Sequence, residues 1–235
     1  MHRVRLPRWV VDRGATLNSF PELAAGRTAL VNIDMQAVFL DEAQIYGNRH
    51  ARDIVPAVNA LSRAMRSIGA PVIWTRQTHT FDGPCAPPPW QYELDRPRVA
   101  EGVAALQAGA PGHGLYQAME TGAGDILVDK HRYGALSCPG GSLRRALEAS
   151  GAEMIVITGT LTNCCCESTA REANLAGYKV IVVSDATATL TDREHNAALM
   201  NLRLFFADVR RTREVLRMIT AAGLAERAQG RSQAA

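Results

Sequence analysis

The sequence predicts an α/β protein: a doubly wound, mostly parallel sheet of about six strands with helices on both faces, a Rossmann-like three-layer sandwich. Three observations carry this. Runs rich in β-branched residues (TALVNI at 28–33, PVIWT at 71–75, DILV at 125–128, MIVIT at 154–158, KVIVVS at 179–184) are apolar throughout, as strands covered on both faces are. Segments with apolar residues at helical spacing lie between them. Gly69, Gly151 and Gly177 stand where those helices should stop.

Residues 1–27 carry Pro7 and Pro21 with no sustained period, and read as an arm lying on the body or on a partner subunit. The first strand ends at Asp34. Ile54, Val58, Leu61, Met65 and Ile68 then recur at helical spacing and predict one helix over 53–68. After the second strand the pattern dissolves over 76–112, rich in Pro and Gly yet carrying Phe81, Trp90 and Tyr92. That composition suits a long ordered loop, of the kind that forms lids or subunit contacts. A short helix is expected at 113–120. The third strand runs into Asp129, Lys130, His131, Arg132 and Tyr133, and a helix follows at 141–150.

The fourth strand leads through turn residues into a helix over 165–176, and the fifth ends at a turn opened by Asp185. Thr191 and Glu194, spaced as a capping box, start a helix at 191–204. A short strand at 205–209, a helix at 212–222 and a frayed tail over 223–235 complete the chain, so 28–222 is read as one domain.

A length of 235 residues with 47% apolar side chains suffices for one large core. The net charge of +3, from 26 basic and 23 acidic residues, is spread without aromatic interleaving, which argues against a nucleic-acid partner. No apolar run approaches membrane-spanning length, so no membrane partner is expected. Five cysteines, three of them adjacent, lack the paired spacing of a disulfide framework or zinc knuckle and suit a reducing, cytoplasmic setting.

Doubly wound sheets bind ligands outside the carboxyl ends of their strands. Asp34, Lys130 and the run Cys164, Cys165, Cys166 all fall at such ends, so they can converge. Singly, each has a plainer reading: a helix cap, a solvated charge, small residues packed at a strand–helix junction. At the start of a helix, the backbone N–H groups and the helix dipole would favour a cysteine thiolate.

The strings IDMQAVFL around Asp34, DKHRYGAL around Lys130, and TGTLTNCCCESTAREA followed by GYKVIVVSDA resemble the motifs of the isochorismatase-like cysteine hydrolases. That superfamily includes nicotinamidases, N-carbamoylsarcosine amidases and ureidoacrylate amidohydrolases. The resemblance covers roughly residues 28–210. It implies Cys165 as nucleophile, Asp34 as base and Lys130 as its charged partner, with Cys164 and Cys166 as packing residues. It also implies a cis peptide at Thr160–Leu161, an oxyanion hole from the N–H groups of Leu161 and Cys165, and a homodimer or homotetramer. The wording of the motifs is nearest to the carbamoyl and ureido amidohydrolases.

Nicotinamidases of that superfamily hold a metal with an Asp-x-His pair after the second strand. Here Gln77 replaces the aspartate and His79 stands alone, so no metal and no cofactor are expected, and His79 is read as a hydrogen-bonded surface residue. Phe39, Trp74 and Tyr133, with Trp90 or Tyr92 from the long loop, are the candidates for a small-molecule pocket. His195 is read as a helix-surface residue. No arginine can be assigned to a substrate carboxylate by spacing. The competing readings are a vinyl ether hydrolase, in which Cys165 would be dispensable, a silent binding or assembly module, and a redox sensor built on the cysteine run.

Overall fold

In the computed structural model, residues 1–233 are described, with side chains through 228. Six strands, β1 (Thr28–Ile33), β2 (Val72–Gln77), β3 (Ile126–Lys130), β4 (Met154–Thr160), β5 (Lys179–Ala188) and β6 (Asp208–Arg210), form one sheet in the order β3-β2-β1-β4-β5-β6, and every pairing is parallel. The order reverses between β1 and β4, the place where such sheets open a crevice. This is the predicted fold class.

The apolar strands alternate between two buried layers. Leu30, Trp74, Val156 and Ile181 face one layer with α4 (Val55–Ser67) and α9 (Thr212–Gln233). Val31, Ile73, Ile157 and Val182 face the other with α6 (Ser142–Ala149) and α7 (Glu167–Leu175). Each fully buried Leu or Ile contributes roughly 1.5–3 kcal/mol. Burial on both sides is why these strands read as continuous apolar runs.

Several boundaries move for identifiable reasons. The helix expected over 53–68 is two pieces, α3 (Arg49–Asp53) and α4, because Pro56 has no N–H and occupies a helix start. The loop over 76–112 contains a helix, α5 (Pro97–Ala104), also opened by a proline. No helix forms at 113–120, where Gln36 Nε2 donates to the His113 carbonyl (2.8 Å) and the His113 ring is tied to the Thr78 hydroxyl (2.7 Å). Strand β3 extends to Lys130, and β5 runs through Asp185 to Ala188. Asp185 does not open a turn; its carboxylate accepts the Thr212 N–H and hydroxyl (2.6 and 2.7 Å) and so caps α9. Helix α9 continues through the stretch expected to fray, to Gln233; residues 234–235 lie outside the described residues.

At the start of α8 (Asp192–Asn201) the expected cap forms on one side, Thr191 Oγ1 accepting the Glu194 N–H at 3.2 Å, while the Glu194 carboxylate accepts the Thr191 hydroxyl (2.7 Å) in place of the backbone N–H of a full capping box. The arm packs on the body through α1 (Arg8–Gly14) and through Arg203, which donates to Asn18 O (3.0 Å) and Val11 O (3.3 Å), and a single short turn, α2 (Ala37–Leu40), follows β1. Among the described residues no helix is long and apolar enough to cross a membrane.

Candidate active site

Adjacent strands β1 and β4 end side by side, bringing Asp34 and the cysteine turn together. Asp34 follows β1 at φ 49°, a left-handed conformation a non-glycine residue adopts at a cost. That bend carries its carboxylate inward, where it is completely buried. Its Oδ1 accepts from Thr75 Oγ1 (2.7 Å). Its Oδ2 forms a fully buried ion pair with Lys130 Nζ at 2.8 Å.

Lys130 arrives from β3, two strands from β1, and only a side chain of that length spans the intervening β2. Its ammonium is fully buried and has three acceptors for three protons: Asp34 Oδ2, Gln77 Oε1 (2.6 Å) and Arg132 O (3.0 Å). Burial, the largest single influence, opposes its charge, yet Asp34 and Cys165 together outweigh it and hold the pKa above the ordinary lysine value.

Past β4, the Thr160–Leu161 peptide is cis, as expected. Gly159, at φ 111°, lies so close to β1 that any Cβ would run into the Ile33 backbone, so glycine is required where the two strand ends meet. The next residues do not begin an α-helix. Thr162–Cys166 form one wide π-helical turn before α7, and such turns concentrate at functional sites. Two of its N–H groups, of Cys164 and Cys166, turn back on Leu161 O at 3.1 Å each.

The three cysteines separate cleanly. Cys166 is fully buried in the core, and Cys165 is nearly so. Cys164 is half-buried and, unlike a simple packing residue, lines the same cavity as Cys165. The expectation of a favoured thiolate is corrected for Cys165. A hydrogen bond to Cys164, then desolvation, raises its thiol pKa well above the ordinary value, and Lys130 only partly counters them. The resting group is therefore a thiol, which needs a base before it can attack.

Above it opens a cavity of about 470 Å³ lined chiefly by apolar and aromatic side chains. Phe39, Tyr133 and Tyr92 line it as expected. Trp74 does not: β2 continues to Gln77, so Trp74 lies below the sheet's edge in the core, donating to Asp125 Oδ2 at 2.6 Å. Trp90 is 82% exposed and stands outside the cavity. His79 is a cavity-wall residue, not a surface one; it is 6% exposed and meets Tyr92 edge-on at 5.0 Å.

Tyr46, Gln77, Leu190 and Arg98 also line the cavity and were not legible in the sequence. Tyr46 packs so closely on α5 that any side chain at position 102 would meet its phenol, which explains Gly102. Arg98, one helical turn before Gly102 on the same face, is thereby held at the cavity rim. It forms no ion pair among the described residues, and no acidic side chain lines the cavity.

The residues at 77 and 79 do not suit a divalent metal. Gln77 offers a neutral amide oxygen already taken by an ammonium. Desolvation, Lys130, His131 and Arg132 lower the His79 pKa to about 4, and the surrounding cations that repel a proton there would repel a dication too. Among the described residues no three His, Cys, Asp or Glu side chains cluster as metal ligands.

A doubly wound sheet whose switch point carries a buried cysteine, a buried Asp–Lys pair and an apolar small-molecule cavity defines an α/β enzyme. Comparison with known proteins makes the class specific: residues 28–214 match the Isochorismatase domain, and the chain belongs to the isochorismatase family of hydrolases. It is 30% identical over 212 residues to the ureidoacrylate amidohydrolase RutB of Methylobacterium radiotolerans, covering 82% of this chain and 81% of that one. A shorter match, 42% identical over 83 residues, spans 35% of this chain and 41% of Nicotinamidase 3 of Arabidopsis thaliana. The crystal structure of a cysteine hydrolase from Pseudomonas syringae pv. phaseolicola 1448A superposes with a TM-score of 0.78 at 28% identity, covering 88% of this chain and 98% of that one.

Proposed function

We propose that the protein is a cysteine amidohydrolase that cleaves a C–N bond of a small non-peptide amide, ureido or carbamoyl compound. The observation that carries this reading is the buried Cys165 thiol at the foot of the cavity, set against a completely buried Asp34–Lys130 ion pair (Oδ2 to Nζ 2.8 Å).

Asp34 Oδ2 takes the Sγ proton of Cys165 as sulfur attacks the carbonyl carbon, and the carbonyl π electrons pass to its oxygen. The N–H groups of Leu161 and Cys165 receive that oxyanion, each such donor being worth roughly 3 kcal/mol. Collapse breaks the C–N bond, and the departing nitrogen takes the proton from Asp34. Water then attacks the thioester, releasing the acid and returning the proton to sulfur. Lys130 stays protonated throughout and offsets the charge of whichever group carries it.

Arg98 extends the reading to the far end of the substrate. A guanidinium with no ion pair at the rim of a cavity without acidic residues suits a substrate bearing an anionic tail, such as a ureido or carbamoyl acid. A panel of paired carboxylated and uncharged amides, assayed by ammonia release, tests this. Arg98→Gln should lower kcat/KM for the carboxylated members by roughly 10- to 100-fold and leave the uncharged members unchanged. An equal loss on both sets would remove Arg98 from substrate recognition, and no release from any member would remove the amidohydrolase reading.

A further inference from the structure

Three imidazoles from distant parts of the chain stack behind the nucleophile turn. His2, in the arm, lies against His50 of α3 (ring centroids 4.2 Å, 30° between planes) and against His195 of α8 (4.4 Å, 18°). His2 and His195 are both buried, so the expected surface position of His195 is corrected. None of these groups takes part in the steps above.

Their hydrogen bonds run in one direction. His195 Nε2 faces the Ser184 carbonyl at 3.0 Å and must donate to it, which leaves Nδ1 to accept from the Thr162 hydroxyl at 2.8 Å. His2 Nδ1 faces Asp192 Oδ1 at 2.8 Å and donates there, and Nε2 sits against Thr189, 3.0 Å from its N–H and 3.1 Å from its carbonyl oxygen, accepting the N–H in the neutral ring. Thr189 in turn donates its hydroxyl to Asn163 Oδ1 at 2.6 Å. Thr162 and Asn163 are the first two residues of the turn that aims Cys165.

We infer that His2 is a positioning residue: by covering His195 and holding Thr189, it fixes the two side-chain anchors of the nucleophile turn. A neutral His195 is the form this requires, because a proton on Nδ1 would convert the acceptor for Thr162 into a donor. Desolvation, then His2 and His50, lower the His195 pKa to about 4, against the opposing pull of the Ser184 carbonyl and Asp192. Beyond His50 come the N-terminal ammonium, which pairs with Asp53, and then Arg49 and Asp53 of α3. Taking away His2 removes that cover and opens His195 to water, so the His195 pKa should move up toward the ordinary value of about 6.5.

This inference rests on Cys165 as nucleophile, so it is tested with and without turnover. In His2→Ala, kcat should fall roughly 10- to 100-fold, as a small misplacement of a reacting group does, with KM little changed. A new acid limb should enter the kcat profile between about pH 4 and 6.5. That limb should vanish in His2→Ala/His195→Gln, because a glutamine amide can both accept and donate and does not titrate. Asp192→Asn, which leaves His2 in place but weakens its anchor, should show the same limb more weakly. Alkylation of Cys165 by iodoacetamide, followed by peptide mapping, should acquire the same acid limb in His2→Ala whatever the enzyme hydrolyses. A folded His2→Ala protein with unchanged kcat profile and unchanged alkylation would overturn the assignment, as would a loss that is uniform across pH. Wild-type protein that turns over nothing while its alkylation follows the predicted pattern would overturn the amidohydrolase reading alone.

Discussion

Cys165→Ala should abolish hydrolysis, with kcat falling roughly 10⁴-fold or more, as when the nucleophile of a catalytic set is removed. The neighbouring cysteines serve as internal controls because the turn gives the three different surroundings. Cys166 touches only core, so Cys166→Ala should cost about 1 kcal/mol of stability and leave kcat within a few-fold. Cys164 lines the cavity next to the nucleophile, and the interaction of the two thiols lowers the Cys164 pKa while raising that of Cys165. Cys164→Ala removes the neighbour that most strongly keeps Cys165 protonated, so it should retain activity and make Cys165 easier to alkylate at a given pH. Steady-state kinetics and alkylation rates of the three variants separate these outcomes. Full activity in Cys165→Ala would point instead to chemistry without a thiol, as in vinyl ether cleavage.

The second large effect is expected from the buried ion pair. In Lys130→Met the Asp34 carboxylate keeps only the Thr75 hydroxyl, and an uncompensated buried charge costs about 3–5 kcal/mol. For a chain of this size that is a Tm lower by roughly 6–20 °C. Asp34→Asn strands the Lys130 ammonium in the same way and also removes the base, so kcat should fall roughly 10³-fold or more. The double variant Asp34→Asn/Lys130→Met should recover much of the Tm, because no buried charge remains, and recover none of the activity. Thermal unfolding of the four proteins checks this, and additive losses in the double variant would mean that the pair is not coupled.

Linkage fixes the pH window of that contribution. The Lys130 pKa is raised in the folded state. Its contribution to stability is therefore complete below the unfolded value of about 10.4 and is lost only as pH rises toward the higher folded value.

The parts legible in the sequence were those governed by local chemistry. Strands buried on both faces announce themselves as apolar runs, and the Thr191–Glu194 cap is a spacing rule that the backbone obeys. Asp34, Lys130 and the cysteine turn could be brought together on paper because a parallel sheet forces strand ends to one edge. What was not legible depends on distance in space. Trp74 was misplaced because the position of a side chain along a strand matters, and β2 runs on to Gln77. Arg98 and Tyr46 become cavity residues only through the close packing that Gly102 allows, which no period reveals. His2 and His195 are separated by most of the chain, and their stacking is a property of the fold alone. The cysteine turn misled in a subtler way: a helix start predicts a thiolate, but a π turn buried in the core holds a thiol.

The most direct test of the account is to look for the covalent intermediate. The wild-type protein would be mixed with a substrate identified by the ammonia-release panel, acid-quenched within a turnover, and measured by intact mass and fragment sequencing across residues 160–171. The expected result is an added acyl group, without the departing nitrogen, located on Cys165 and released by hydroxylamine as a thioester is. Turnover with no adduct at any quench time, or an adduct located on Cys164 that persists in Cys165→Ala, would contradict it.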